Sequence, residues 1–282
     1  MRLARVGAVG EEVPVVLSGE IAYDLRGIVS DINPDALRGG ALSAIAASFA
    51  EGSLPILERA NSLRFGPPIA RPGALVCVGL NYAAHAAESR STVPDSPVIF
   101  YKTPSSIGGP DDIVNIPRGS SRSDWEVELG VVIGRRALYL DSIEMVADYI
   151  AGYLAADDVS EREYQLDLSG GQWSKGKSFP GFSPLGPWLV TPDEVDPSNL
   201  RLRSWVNGEP RQDSTTADMI FSVEAIIWHL SQFMALEPGD VILTGTPAGV
   251  GLSGRFPYLK PGDVVEIEID GLGRQRHEFA KA

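Results

Sequence analysis

Short apolar runs separated by glycine and proline dominate this sequence and predict many short β-strands. Runs of a few apolar or alternating residues, bounded by turn-forming residues, are typical of strands. Glycine and proline are spread along the whole chain, so the pattern does not indicate a long disordered tract. After residue 73 the predicted strands are Ala74–Gly79, Pro97–Thr103, Asp112–Ile116, 126–134, Ile150–Ala156, Leu200–Val206, Asp240–Leu243, Asp263–Asp270 and Arg274–Phe279.

Helical patterns are fewer. An apolar helix is predicted over Ser222–Ala235, and a short alanine-rich helix after Gly79. Ser160 and Glu163 have the spacing of a capping box, which predicts a helix that begins near Ser160. Asn207 and Gly208 predict a tight hairpin turn. Together these elements indicate an α+β fold that is mainly β.

Residues 1–70 have a pattern that predicts a smaller structural unit. They predict strands over Arg2–Val9, Val13–Leu17 and Ile21–Leu25 and helices over Ala41–Ala50 and Pro55–Ala60. The following stretch, 65–73, is rich in proline and glycine and can sustain neither a helix nor a central strand. We therefore predict a small N-terminal domain over 1–70 and a larger domain over 71–282.

Composition narrows the class of protein. The chain has 282 residues, of which 44% are hydrophobic and 22% charged, with a net charge of −13. Without a basic run, a nucleic-acid surface is not expected. No apolar run approaches the ~20 residues that cross a bilayer, so we expect no membrane association and a cytoplasmic location. The single cysteine, Cys77, lies in a predicted strand and is expected to be a buried thiol.

Two glutamates one residue apart are the first candidates for chemistry. Glu126 and Glu128 leave the same face of the predicted strand, so their carboxylates converge. In a folded interior the two would repel unless a cation lay between them, and a hard divalent ion is the simplest such cation. The alternative is a half-buried strand with its acids in water, as we expect for Glu266 and Glu268 in the terminal hairpin.

A histidine and a glutamate on the short helix are candidates for a general base. His85 and Glu88 lie three residues apart and are neighbours on a helix face. A carboxylate beside an imidazole raises its basicity and fixes its tautomer. The polar stretch that follows, 89–96, would leave this helix free to act as a lid, and the alternative is a solvated helix pair.

Three further stretches could complete a site. Asp157 and Asp158 end a predicted strand, and either could supply a third metal ligand. Lys175 and Lys177, among aromatic residues and glycines, suit a rigid loop that lines a pocket, although exposure is the default for lysine. The glycine-rich turn 244–251 could bring backbone N–H groups to a small carboxylate.

These stretches, taken in order, resemble the fumarylacetoacetate hydrolase family. The resemblance spans residues from about 71 to 270. It rests on five motifs in the family's order, namely 79–82 with His85 and Glu88, 126–130, 158–160 with Arg162 and Gln165, 176–179, and 243–251.

The resemblance implies a compact β-roll with a mixed sheet, a homodimer, and the use of Mg²⁺ or Mn²⁺. It implies that Glu126, Glu128 and Asp158 hold the metal and that His85, Glu88 and Lys177 are catalytic. The substrate-binding residues would be Tyr82, Gln165, Lys177, Gly245 and Thr246. The small-molecule substrate would be a 2-oxo acid.

Within this family the sequence most resembles bacterial acylpyruvase and 2,4-diketo acid hydrolase members. The expected activity is metal-dependent hydrolysis of the C–C bond of a 2,4-dioxo acid, either an acylpyruvate or a sugar-derived 2,4-diketo-3-deoxy acid, which releases pyruvate. Decarboxylation of oxaloacetate and isomerisation or decarboxylation of a 2-hydroxydiene-dioate are the alternatives, because they pass through the same enolate chemistry. A serine hydrolase is disfavoured, since the chain has no G-x-S-x-G motif.

Overall fold

A large mixed β-sheet runs through the molecule. The structure is a computed structural model that describes residues 1–282 except the side chain of Asn61. Within the described residues this sheet has nine strands. In spatial order they are β3 (Ile21–Asp24), β2 (Val13–Ser18), β1 (Arg2–Val6), β13 (Leu189–Val190), β10 (Ile150–Asp157), β9 (Val127–Ile133), β16 (Val241–Leu243), β4 (Leu75–Gly79) and β5 (Val98–Lys102).

The first three strands extend the sheet of the larger part of the chain. β1 pairs antiparallel with β13, with Leu3 opposite Leu189. One apolar cluster contains Leu3 and Val16 together with Leu75 and Leu243, so the N-terminal strands and the later ones share a core. The domain boundary at residue 70 remains a prediction. In the described residues, the strands before this boundary belong to the same nine-stranded sheet as the later strands.

Strand β9 lies at the centre of this sheet and is buried on both faces. Leu129, Val131 and Ile133 pack into one apolar cluster, while Val132 packs into another on the opposite side. Because side chains alternate along a strand, Glu128 shares the face of Val132. A carboxylate is therefore placed in a position that would otherwise be apolar core.

A second, five-stranded sheet packs against the first through the larger of these clusters. Its strands, in spatial order, are β15 (Glu209–Thr215), β14 (Arg201–Val206), β17 (Val264–Ile269), β18 (Gly273–Lys281) and β7 (Val114–Ile116). The predicted hairpin turn is confirmed, since Asn207 and Gly208 join β14 to β15 with φ values of 53° and 79°. Two short pairs complete the strands, β8 (Ser123–Asp124) with β11 (Ser160–Glu161) and β6 (Ile107–Gly108) with β12 (Ser183–Pro184).

Helices are short and lie around the sheets. They are α1 (Pro34–Arg38), α2 (Ala41–Ala50), α3 (Ala83–Glu88), α4 (Ser174–Lys177) and α5 (Val223–Ser231), with a π-helical turn over Glu163–Asp167 and 3₁₀ turns over Ala60–Ser62, Pro104–Ser106, Ile143–Tyr149, Pro192–Glu194, Thr216–Asp218 and Gly251–Ser253. The predicted α+β class, mainly β, is confirmed. No described helix is long and apolar enough to span a membrane.

One helix prediction was wrong and a second was displaced. Pro55–Ala60 is not helical, because Ile56 forms a β-bridge with Tyr23. The helix expected to begin near Ser160 is the π-helical turn Glu163–Asp167; Ser160 itself belongs to β11 and does not cap it, and the carboxylate of Glu161 accepts the N–H of Tyr164. The predicted loop around the two lysines is the one-turn helix α4.

Candidate active site

The three predicted metal ligands lie together where β9 and β10 meet. Glu126 immediately precedes β9, Glu128 lies on it, and Asp158 immediately follows β10. The N–H of Asp158 donates to the carbonyl of Glu126 at 2.9 Å, which fixes the register of the two segments. Among the described residues, one ligand atom from each of these carboxylates lies within 4.8 Å of the others, and all three side chains are buried.

The neighbouring Asp157 points away from this cluster. Its Oδ1 accepts the N–H of Glu126 at 2.8 Å, and its Oδ2 lies 3.9 Å from Nε2 of His277. Burial raises the pKa of Asp157 to about 7. Of the two aspartates that end β10, Asp158 is therefore the one placed to bind a cation beside the glutamates.

Buried cations surround the carboxylates. Nζ of Lys177 donates to Glu126 at 2.7 Å and to Asp158 at 2.8 Å. Lys102 donates to the other oxygen of Asp158 and to two backbone carbonyls. Arg162 contacts the second oxygen of Glu126 at 2.7 Å. Glu126 and Asp158 are thus each held by two cationic side chains.

The ionisable side chains of the cluster differ in the direction in which their pKa values are shifted. Burial opposes ionisation of Glu126, but Lys177 and Arg162 together hold its pKa well below the ordinary value. Burial raises the pKa of Glu128 far above its ordinary value, and the charges of Asp158 and Glu126 raise it further. Burial lowers the pKa of Lys177, yet Asp158 and Glu126 outweigh it, so that lysine is protonated.

Among the buried side chains that make up the carboxylate cluster and its ion-pair partners, four carboxylates accompany three cations. The carboxylates are Asp124, Glu126, Glu128 and Asp158, and the cations are Lys102, Arg162 and Lys177. Such a surplus is relieved either by a proton or by a metal ion. An all-oxygen carboxylate set is typical of hard divalent ions such as Mg²⁺ and Mn²⁺. The residues present therefore fit a divalent metal.

The predicted histidine and glutamate pair lies on α3, at the opening of the same cleft. Nδ1 of His85 is 3.0 Å from Oε1 of Glu88. The carboxylate of Glu88 also accepts the N–H of Gly249, at 3.0 and 3.1 Å from its two oxygens. Because Glu88 occupies Nδ1, the other ring nitrogen of His85 is left to act on a bound water or substrate.

The base of α3 is fixed by an asparagine. Asn81 is fully buried; its amide donates to the carbonyls of Phe221 and Thr244 at 3.0 and 2.8 Å, and its Oδ1 accepts the N–H of Phe221 at 2.8 Å. Gly245 follows Thr244 with a φ of 98°, and a Cβ there would lie 2.8 Å from that of Asn81. The glycine-rich turn and the start of α3 are thus locked together.

The predicted substrate-binding residues differ in whether they line the cleft and in which of their polar groups are free to bind a ligand. Gln165 lines the cleft, with its Oε1 accepting from Arg162 at 2.9 Å, which leaves its amide nitrogen to face a ligand. Thr246 lines the cleft too, but its hydroxyl donates to the carbonyl of Val127 and accepts from Gln212. The N–H of Gly245 donates to Glu128 at 2.8 Å.

Tyr82 lies outside the cleft. It lines a separate pocket with Asp218 and Pro247, and among the described residues its buried hydroxyl has no hydrogen-bond partner. Burial raises the pKa of this phenol above its ordinary range. The structure thus brings Gln165, Lys177 and Thr246 to the cleft and leaves Tyr82 beside it.

The cleft itself has a volume of about 620 Å³, its open mouth included. Its lining includes all three groups described above: Glu126 and Glu128 of the carboxylate cluster, His85 of α3, and the polar residues Gln165 and Thr246. One small ligand could therefore contact the carboxylate cluster and His85 at once.

Sequence reasoning missed two members of the site. Lys102 ends the apolar strand β5 and shares a strand face with the buried Phe100. Arg162 was identified only as part of a family motif, with no role assigned. Its guanidinium contacts Asp124, Glu126 and Gln165. The alternation of side chains along β5, which places Lys102 on the same face as Phe100, is the signal that could have identified Lys102.

Comparisons with known proteins agree with this geometry. A family model described as "Fumarylacetoacetate (FAA) hydrolase C-terminal" matches residues 74–280. A Burkholderia ambifaria protein with a provisional hydrolase name is 47% identical over 281 residues, covering 98% of this chain and 97% of its own.

Two solved structures are similar over the whole chain. The fumarylacetoacetate hydrolase of Exiguobacterium antarcticum is 34% identical, with a TM-score of 0.85 and 100% of both chains covered. The 2-hydroxyhepta-2,4-diene-1,7-dioate isomerase of Mycobacterium marinum is 34% identical, with a TM-score of 0.78, covering 100% of this chain and 98% of its own. By the family model and these full-length similarities, the chain belongs to the fumarylacetoacetate hydrolase family.

Proposed function

We propose that this protein is a hydrolase, dependent on Mg²⁺ or Mn²⁺, that cleaves the C3–C4 bond of a 2,4-dioxo acid and releases pyruvate. The observation that carries the proposal is the presence of a His85–Glu88 pair in the same cleft as the buried carboxylates Glu126, Glu128 and Asp158. Only a reaction with an attacking water makes full use of such a base.

A divalent cation held by Glu126, Glu128 and Asp158 would act as a Lewis acid on the substrate's oxygens. His85 takes a proton from water, and the resulting hydroxide adds to the C4 carbonyl. The C3–C4 bond then breaks, its electron pair leaves with the pyruvate fragment as an enolate, and C3 is protonated to give pyruvate and the free acid. General-base help of this kind is typically worth ~10²–10⁴ in rate.

Lys177 and Gln165 have supporting roles in this scheme. The pKa of Lys177 is raised by its carboxylate neighbours, after the opposing effect of burial, so its ammonium can stabilise negative charge on the leaving fragment. The amide nitrogen of Gln165 can donate to the substrate because Arg162 fixes the orientation of the side chain.

The substrate's carboxylate needs a donor from the glycine-rich turn. The hydroxyl of Thr246 already donates to the carbonyl of Val127 at 2.9 Å. In the described part of the chain no hydrogen bond is made by the backbone N–H of Thr246. We propose that this N–H, rather than the hydroxyl, is the group that Thr246 offers to the carboxylate.

Isomerisation or decarboxylation of a related 2-oxo acid is the second candidate. It is favoured by the similarity to an enzyme whose name is that of a dienedioate isomerase. These reactions involve the same kind of enolate but need no attacking water.

Turnover of acetylpyruvate and oxaloacetate, side by side with Mg²⁺ and after chelation, separates the two candidates. We expect faster, metal-dependent loss of acetylpyruvate. His85→Ala should lower that rate by about 10²-fold or more, while His229→Ala, on α5 outside the cleft, should not. Faster loss of oxaloacetate, with His85→Ala nearly as active as the parent, would contradict hydrolysis.

We also propose that the protein is a homodimer, as the family resemblance implies, and that it is located in the cytoplasm, as expected from the lack of a long apolar run in the sequence. Light scattering should report twice the chain mass of 30.2 kDa.

A further inference from the structure

The part of the cleft beyond the carboxylates is walled by apolar side chains. They come from five different segments, so the surface is not one helix face; the polar side chains Ser89 and Ser91 line the cleft as well. The wall consists of Leu80, Phe100, Leu166, Trp173 and Leu252. The rings of Phe100 and Trp173 meet edge to face with centroids 5.6 Å apart.

Trp173 is held in place by the absence of a side chain at Gly79. A Cβ on Gly79 would lie 2.2 Å from the ring of Trp173. Glycine at this position therefore allows the indole to lie directly over the end of β4. The Nζ of Lys177 lies 5.1 Å from the centroid of Phe100, so the aromatic wall begins beside the reacting groups.

Leu80 belongs to this wall and has a strained backbone conformation. Its φ of 57° is in the left-handed region, which is unfavourable for a residue with a side chain. Its side chain lines the cleft. Strain at a cleft is typical of positions where the side chain has a role.

The cationic groups that line the cleft are already engaged. Lys177 is shared by Glu126 and Asp158. Arg162 contacts Asp124, Glu126 and Gln165. His85 lies beside Glu88 and is the proposed general base. Among the residues that line the cleft, neither Lys177 nor Arg162 lacks a carboxylate partner, so no unpaired cation faces a second carboxylate at the far end of a substrate.

From these observations we infer that the enzyme selects 2,4-dioxo acids with an apolar acyl group and rejects those that end in a second carboxylate. Trp173, with Phe100, is the specificity determinant. An unpaired carboxylate against an apolar wall loses its hydration without compensation. The inference rests on the proposed hydrolase function and names its substrate class.

A matched pair of substrates tests the inference directly. Butanoylpyruvate and succinylpyruvate have the same chain length and differ at the far end, which is a methyl group in one and a carboxylate in the other. We expect kcat/KM for butanoylpyruvate to be at least about 10-fold higher, and to rise roughly fourfold per methylene from acetylpyruvate to butanoylpyruvate.

Substitutions in the apolar wall should change the ratio of kcat/KM for butanoylpyruvate to that for succinylpyruvate. Trp173→Arg adds a cation at the far end and should shift the ratio of the two kcat/KM values towards succinylpyruvate by about 10-fold or more. Trp205→Arg, on β14 in the other sheet, is the matched control and should leave the ratio unchanged. If Trp173→Arg does not fold, Leu166→Arg places a cation in the same wall.

The outcomes separate the inference from the function on which it rests. A wild-type protein that hydrolyses neither substrate would refute the proposed function. Hydrolysis of succinylpyruvate as fast as butanoylpyruvate, or a folded Trp173→Arg variant with an unchanged ratio, would overturn the specificity inference and leave hydrolysis standing.

Discussion

At the level of single residues, Glu128 differs from the other two candidate metal ligands. Glu126 and Asp158 each contact two cationic side chains, whereas in the described structure Glu128 accepts only the N–H of Gly245. Burial and its acidic neighbours raise its pKa accordingly. Glu128 is thus the carboxylate that a metal ion would neutralise.

Replacing Glu128 should therefore abolish metal binding. We expect Glu128→Gln to weaken Mg²⁺ and Mn²⁺ binding by at least about 100-fold and to abolish turnover, measured by titration calorimetry and by hydrolysis of acetylpyruvate. Glu268→Gln is the matched control, because Glu268 contacts Arg203 and Arg274 on the other sheet. Metal loss confined to the Glu268 variant would refute the site.

Some of these residues could be predicted from sequence and others could not. Strand alternation placed Glu126 and Glu128 on one face, whereas the end of the strand offered either Asp157 or Asp158 and only the family resemblance implied Asp158. Lys102 was missed because a lysine at the end of a strand usually reaches solvent. Here it reaches inward, since it has three oxygen partners that come from segments distant in sequence.

At the level of elements, the errors in the helix predictions have a common cause. Residues 55–60 and Ser160 have local patterns that suit a helix, yet Ile56 pairs with Tyr23 and Ser160 pairs with Asp124, so the first predicted helix is absent and the second begins only at Glu163. Local propensity is a weak prior that tertiary contacts override. The 207–208 turn was predictable because its signal is entirely local.

Strand β18 carries a buried histidine whose ionisation should contribute to the acid stability of the fold. Neither ring nitrogen of His277 has a hydrogen-bond partner among the described residues, and burial lowers its pKa to about 3. The unfolded chain binds this proton near pH 6.5. Stability present above pH 6.5 is therefore lost as the pH falls towards 3, at about 1.4 kcal/mol per pH unit.

His277→Leu should remove this contribution. We expect the free energy of unfolding, measured with urea between pH 4 and pH 6, to fall less steeply with acid than in the parent, by about 1.4 kcal/mol per pH unit. His229→Leu, which replaces the half-buried histidine of α5, should keep the parent's slope. An unchanged slope in His277→Leu would mean that His277 is protonated in the folded state.

At the level of the whole molecule, the N-terminal strands and the catalytic part should unfold together. Leu3 is fully buried between β2 and β13 and belongs to the same cluster as Leu75 and Leu243. Leu3→Asp should therefore destabilise the entire chain, by about 3 kcal/mol or more, and lower the melting temperature for structure and for activity alike.

Thermal unfolding followed by circular dichroism and by residual activity checks this expectation. Val9→Asp, at an exposed position close in sequence, is the matched control and should melt like the parent. Two separate transitions in Leu3→Asp, with activity surviving the first, would show that residues 1–70 form an independent domain.

The pairing of β1 with β13 also constrains how the chain can fold on the ribosome. At a typical synthesis rate of about 5–20 residues per second, roughly 10–40 seconds pass between emergence of Leu3 and emergence of its partner Leu189. During that interval β1 can pair only with β2, and its other edge stays open. The nascent chain should therefore depend on a chaperone most before residue 189 is made, because the open edge of β1 can pair with other chains.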